Sequence, residues 1–182
     1  MNDYNELKFI LSKMNLLLEG EDIPKPLELH LLGGAACVLG GHIERSTVDF
    51  DFIDTSVPAE YGRILNILRY FHIVEWYYLP VTYSYVNRLE YAFKSEFKNI
   101  KVGILSKEDL IISKLGRFSI RDAEDIDKLM ENADRALLSK IYNEVLERKD
   151  LDEKVKQIVT ANFKKINRSG ESKDDIDRQP KL

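Results

Sequence analysis

Asp49 and Asp51 stand two residues apart in the run 47–53, T-V-D-F-D-F-I. Alternate residues of a strand leave the same face, so these carboxylates project together while Val48, Phe50 and Phe52 turn towards a core. Two carboxylates side by side repel unless solvent or a cation separates them. Hard oxygen ligands of this kind suit Mg²⁺, which keeps water and shares substrate phosphates. The plainer alternative is a solvent-facing acidic strand, although Asp is depleted in strands and here occurs twice. Upstream, Gly33 and Gly34 lie between a buried apolar run and a helical one. A glycine pair lets the backbone approach a phosphate closely, with the first N–H groups of the helix directed at it. It equally permits tight packing of helix on strand. Downstream, Lys114 falls among Leu110, Ile111 and Leu115 at helical spacing, and Arg121, Asp122 and Asp125 precede the apolar stripe Ile126, Leu129 and Met130. Asp122 and Asp125, three apart, share one side of a helix. Without a ligand, Lys114 would snorkel and the two acids would complement the positive end of the helix dipole.

These groups need elements to hold them. Residues 5–18 place Leu7, Ile10, Leu11, Met14, Leu17 and Leu18 at helical spacing, and Gly20 stops the helix. Pro24 and Pro26 mark a loop before a buried strand at 27–32. A tightly packed helix over 35–39 ends at Gly40 and Gly41. The alternation at 47–53 is a second strand, and Pro58 opens a helix whose inner face is Tyr61, Ile64, Leu65 and Leu68. Residues 71–102 are rich in aromatic and β-branched side chains (Ile73, Val74, Trp76, Tyr77, Val81, Tyr83, Tyr85), which predicts three or four antiparallel strands. From 106 the pattern is helical, opened by Ser106 with Asp109 three residues on. The expected fold is α+β: a mixed or antiparallel sheet flanked by helices over 1–105, a helical portion packed on it over 106–167, and a disordered polar tail over 168–182.

The 182 residues carry 27 basic and 31 acidic side chains, a net charge of −4. That balance argues against a dedicated duplex-DNA binder, while leaving room for a local basic patch. One cysteine, Cys37, excludes an internal disulfide framework and any multi-thiolate zinc site. Residues 1–8 are too polar to begin a secretory leader. The longest apolar run, 27–43, contains two histidines and four glycines, so it does not suit a spanning helix of about 20 apolar residues. A cytoplasmic protein is expected.

The ordered set G-G, R-S-T-V-D-F-D, E-D-L-I-I-S-K-L and R-D-A-E-D-I resembles the nucleotidyltransferase superfamily with the polymerase β-like fold. It is most similar there to minimal nucleotidyltransferase-like proteins, including the abortive-infection toxins of toxin–antitoxin systems. Gly33 and Gly34 match the glycine turn, Asp49 and Asp51 the Asp-x-Asp strand, Lys114 a helical lysine, and Arg121, Asp122 and Asp125 an Arg-Asp-x-x-Asp motif. The resemblance spans about residues 27–130. It implies a nucleotidyltransferase that moves a nucleoside monophosphate from a nucleoside triphosphate to a protein, RNA or small-molecule acceptor. Mg²⁺ would be held by Asp49 and Asp51, and a cognate antitoxin would be a partner. Gly33, Gly34, Arg45 and Arg121 would bind nucleotide, while Asp49, Asp51, Lys114, Asp122 and Asp125 would serve catalysis. The aromatic cluster of Trp76, Tyr77, Tyr83 and Tyr85 is left out of the site, as core or sheet surface.

Two features depart from that pattern. Many active members carry serine where this chain has Gly34, and the third carboxylate of the wider superfamily has only Glu75 as a candidate. These departures support an alternative: a catalytically inactive module of the same fold that binds nucleotide or a partner protein.

Overall fold

The structure is a computed structural model that describes residues 4–21, 26–47, 49–55, 57, 61–68 and 70–177, with the side chains of 66–68 and 168–177 outside the description. Pro24, Val48, Pro58 and residues 178–182 lie outside the described residues. The element order is α1 (Tyr4–Glu19), β1 (Leu27–Leu32), α2 (Gly33–Leu39), β2 (Phe50–Ile53), α3 (Gly62–Leu68) and β3 (Phe71–Val74). Two 3₁₀ turns follow, Trp76–Tyr78 and Tyr83–Arg88, then β4 (Glu90–Ala92) and β5 (Ile100–Ile104). Four helices close the chain: α4 (Lys107–Leu115), α5 (Ile120–Met130), α6 (Arg135–Glu147) and α7 (Glu153–Asp177). The last continues ten residues into the stretch expected as a tail.

The sheet order is β3-β2-β1-β5-β4. Pairing is antiparallel for β1–β2 and β4–β5, and parallel for β1–β5 and β2–β3. This is the expected α+β fold with a mixed sheet flanked by helices. β1 is central and buried along almost its whole length, as a strand covered on both faces must be. Phe50 and Phe52 are fully buried, which is the core-facing half of the alternation read from 47–53. Helix α1 buries Leu7, Leu11, Met14 and Leu18 and packs on α2 and α3; α4 packs on α2, α5, α6 and α7. Helix α4 therefore joins α2, which lies on the sheet, to the C-terminal helices.

Two expectations are corrected. Three strands lie within 71–104, but β3 and β5 join the sheet through parallel partners, and the middle of the segment is not strand at all. Pro80 has no N–H to give a ladder. The carbonyls of Trp76, Leu79 and Val81 instead accept hydrogen bonds from the buried guanidinium of Arg148 at 3.1, 2.6 and 2.7 Å. Helix α2 begins at Gly33 rather than at Ala35. Gly33 itself has φ +69, the left-handed geometry that a glycine adopts without cost as the chain turns out of β1.

Candidate functional site

The β1–β2 register sets Leu32 opposite Asp51, so the Asp51 side chain lies directly beside Gly33. A Cβ on Gly33 would strike the Asp51 carboxylate, with Cγ only 3.3 Å away. Position 33 is thus glycine for two independent reasons, conformation and space. Gly34 is glycine for a third. A Cβ there would collide with the Arg45 guanidinium, lying 3.1 Å from Cζ and 2.8 Å from the Thr47 hydroxyl. Arg45 fills the room that a serine at 34 would need.

Gly33 and Asp51 open onto a cleft of about 320 Å³, near the lower end of small-molecule sites. Its polar side also holds Lys114, Arg117 and Asp122; its apolar side is made by Val74, Tyr78, Leu79 and Pro80. Among the described residues the Asp51 carboxylate has no hydrogen bond or ion pair. Burial pushes its pKa up from the usual carboxylate value, and Asp49 adds to this against the opposing pull of His72. A half-buried anion that feels Lys114, Arg117 and His72 only at a distance, with no direct partner, is a place where a cation would be stabilised.

Behind the cleft floor lies a cluster of charges. Lys114 does not snorkel as the apolar spacing suggested: it is 5% exposed. Its ammonium donates to Asp125 at 2.7 Å and approaches Asp122 at 3.4 Å. Arg45 lies 3.6 Å from Asp125, and its Nε is buried without a partner among the described residues. Asp122 also accepts from Arg117 Nε and Nη2, at 2.8 and 3.0 Å, and from the Ser119 N–H and hydroxyl at 3.0 and 2.7 Å. Burial opposes its ionisation, but the hydrogen bonds from Arg117 and Ser119 outweigh that and hold its carboxyl well below the usual range. Ser119 and Asp122 form a reciprocal capping box at the start of α5. Phe118, with φ +51, makes the sharp turn that brings Ser119 and Asp122 back towards Lys114 and Arg117.

The structure therefore brings together Gly33, Asp51, Lys114 and Asp122 around one opening, with Gly34, Arg45 and Asp125 immediately behind. Asp49 is exposed outside the cleft lining, 3.6 Å from His72. Arg121 is exposed on α5 and outside the cleft lining. Glu75 is exposed where it precedes the first 3₁₀ turn. Among the described residues no three His, Cys, Asp or Glu side chains gather as a metal cluster. Trp76 and Tyr85 pack with each other, and Tyr85 is buried against His30. Several cleft residues were not legible in the sequence, among them the polar Arg117 and Tyr78. Arg117, in the turn after α4, and Tyr78, in a 3₁₀ turn, both sit where the chain carries no periodic pattern.

No helix among the described residues is long and apolar enough to cross a membrane. A family model described as nucleotidyltransferase of unknown function (DUF6036) matches residues 5–170. No curated protein and no solved structure matches the chain.

Proposed function

The chain belongs to that nucleotidyltransferase family, and on this premise we propose that it carries out Mg²⁺-dependent transfer of a nucleoside monophosphate to an acceptor hydroxyl. The observation that carries the proposal is the partnerless Asp51 carboxylate set against Gly33, in a cleft whose other polar wall is Lys114 and Arg117. The donor chemistry fits the ion, since Mg²⁺ is commonly bound through one or two carboxylates together with substrate phosphates and water. Asp51 would hold it, while Asp49, just ahead of β2 and outside the cleft lining, would have to turn inward to share it. When bound, the cation supplies neutralisation of phosphate charge.

The remaining work belongs to the chain. Gly33, which lines the cleft beside Asp51, would let its backbone approach a triphosphate, while Gly34 makes room for Arg45 behind it. Arg117, held on one side by Asp122 but with its side chain 75% exposed at the opening, would offer its remaining N–H groups to non-bridging oxygens. Lys114 is held by Asp122 and Asp125, so it contributes a fixed positive field and not a free donor. In the transfer, the acceptor oxygen bonds to the α-phosphorus, the bond to the bridging oxygen breaks, pyrophosphate leaves, and the hydroxyl proton passes to solvent. Val74, Tyr78, Leu79 and Pro80 form an apolar wall that suits a nucleoside. The acceptor would be protein, RNA or a small molecule; in the toxin-like reading, a cognate antitoxin would regulate the activity.

The exposed position of Asp49, beside His72 and outside the cleft lining, favours one second reading: a module that binds nucleotide or a partner protein without catalysis. One experiment separates the two. Nucleoside triphosphates labelled at the α-phosphate are incubated with the protein, Mg²⁺, and total RNA, cell protein or small-molecule fractions in turn. Label should pass to one fraction, and Asp51→Asn should slow it by about 100-fold or more. Transfer that survives Asp51→Asn sinks the metal-site assignment. Thermal stabilisation by nucleotide that ignores Mg²⁺, without transfer, would establish the binding module.

A further inference from the structure

At the far end of β1 from Gly33, a second concavity of about 440 Å³ opens beside Pro26, the end of β4 and the start of β5. Six strand residues at about 3.3 Å each separate it from the cleft by roughly 20 Å. Its lining includes Lys94, Lys98 and Lys101 together with the rings of Tyr91 and Phe97. All three lysines are exposed, and none has an ion-pair partner among the described residues. The neighbouring carboxylates are already engaged. Glu96 pairs with Lys8 at 2.6 Å, and Glu28 accepts from the Tyr91 hydroxyl and lies 3.0 Å from His30 Nε2. In a chain of net charge −4, this is a local surplus of positive charge.

The Tyr91 ring is held from inside the fold. Its hydroxyl bonds Glu28, Glu28 bonds His30, and His30 Nδ1 lies 2.7 Å from the hydroxyl of buried Tyr85. That chain across β4, β1 and the second 3₁₀ turn uses side chains with no part in the cleft, and its outermost member is an aromatic face at the rim of a basic hollow. Lys94 Nζ sits 5.8 Å from the Tyr91 ring centroid, and Phe97 is braced against Phe93 at 5.1 Å.

We propose that this concavity docks single-stranded nucleic acid. Lysines that follow a phosphate backbone, interleaved with fixed rings that accept unstacked bases, are the combination that single strands require. A duplex keeps its bases stacked and would leave the rings unused. An acidic peptide would satisfy the lysines alone. The inference stands on its own observations and does not depend on the activity of the Asp51 cleft.

The test is binding of fluorescent twelve-nucleotide oligo-U and oligo-dT to the full chain across 20–200 mM salt. With three phosphate contacts at about 0.7 per contact, the logarithm of affinity should fall against the logarithm of salt with a slope of about −2. The triple variant Lys94→Gln, Lys98→Gln, Lys101→Gln should flatten that slope towards zero. Tyr91→Leu should weaken binding roughly 5- to 100-fold with its slope unchanged, as expected for loss of one stacked base. Preference between the two oligonucleotides identifies RNA or DNA as the source. The proposal is overturned if a twelve-base-pair duplex or poly-glutamate binds as well as the single strands, if no binding is seen at the lowest salt, or if the lysine variant, shown folded by its circular dichroism, binds like the parent.

Discussion

Lys114 is the residue on which the charge cluster turns, because its ammonium stands between two buried carboxylates. A buried ion pair contributes little net stability, yet removing one partner strands a charge in a low-dielectric site. Asp125 would keep only Arg45 at 3.6 Å, and Asp122 would keep Arg117 and Ser119. Lys114→Met is therefore expected to lower stability by about 3 kcal/mol. Arg117→Ala removes two hydrogen bonds to buried Asp122 but leaves it Ser119 and Lys114, and should cost less, about 1–2 kcal/mol. Urea unfolding of the two variants checks the contrast; equal midpoints would mean that Lys114 is not the structural member of the pair. Cys37 shows the other effect of this interior. Burial pushes its thiol up to about 11, which leaves it neutral and unreactive at ordinary pH.

At the scale of elements, the strap from Trp76 to Val81 matters most, since it carries Tyr78, Leu79 and Pro80 into the cleft wall. It forms no sheet ladder and depends on Arg148, which binds three of its carbonyls and stacks 4.2 Å from the Trp76 ring centroid. Asp150 completes the tie by accepting from the Trp76 indole at 2.7 Å and from Arg148. Arg148→Met would leave the Val81 carbonyl without its donor and the Trp76 and Leu79 carbonyls with only a local backbone N–H each, at about 1 kcal/mol or more in total. Trp76 is the single tryptophan, so its fluorescence reports directly. The variant should melt lower, and its emission should shift to the red with greater access to acrylamide. Unchanged emission would show that the strap is held by other contacts. Ser119 and Asp122 serve the neighbouring turn in the same way, since the capping box that starts α5 also aims Asp122 at Lys114 and Arg117.

For the whole molecule, the depressed carboxyl of Asp122 sets an acid limit. A group whose folded pKa lies below its unfolded value stabilises the fold above the unfolded value, and that contribution is lost as pH falls through the folded one. The unfolded value is near 3.8. Melting temperature should thus be level above about pH 5 and fall below about pH 4, at up to about 1.4 kcal/mol of stability per pH unit from this group. In Asp122→Asn the difference from the parent should be constant above pH 5 and shrink below pH 4. A difference independent of pH down to 2.5 would assign the acid transition to other carboxylates.

Much of this molecule was legible along the chain. Period and punctuation determined α1, the buried β1, the core-facing Phe50 and Phe52 and the helical C-terminal portion, because each is a local pattern of apolar spacing. The same reading singled out Gly33 and Asp51, though tight packing and an exposed acidic strand would have left the same local pattern. What it missed was decided by contacts between distant segments. Asp51 lies against Gly33 only because β2 pairs antiparallel with β1 at that register. Residues 76–81 are held out of the sheet by Arg148, some 70 positions later, which takes three of their carbonyls. Lys114 is buried and not snorkelling because the turn at Phe118 returns two carboxylates to it. Spacing tells which side chains share a face; only the folded chain, through its register and its buried charges, tells what that face meets.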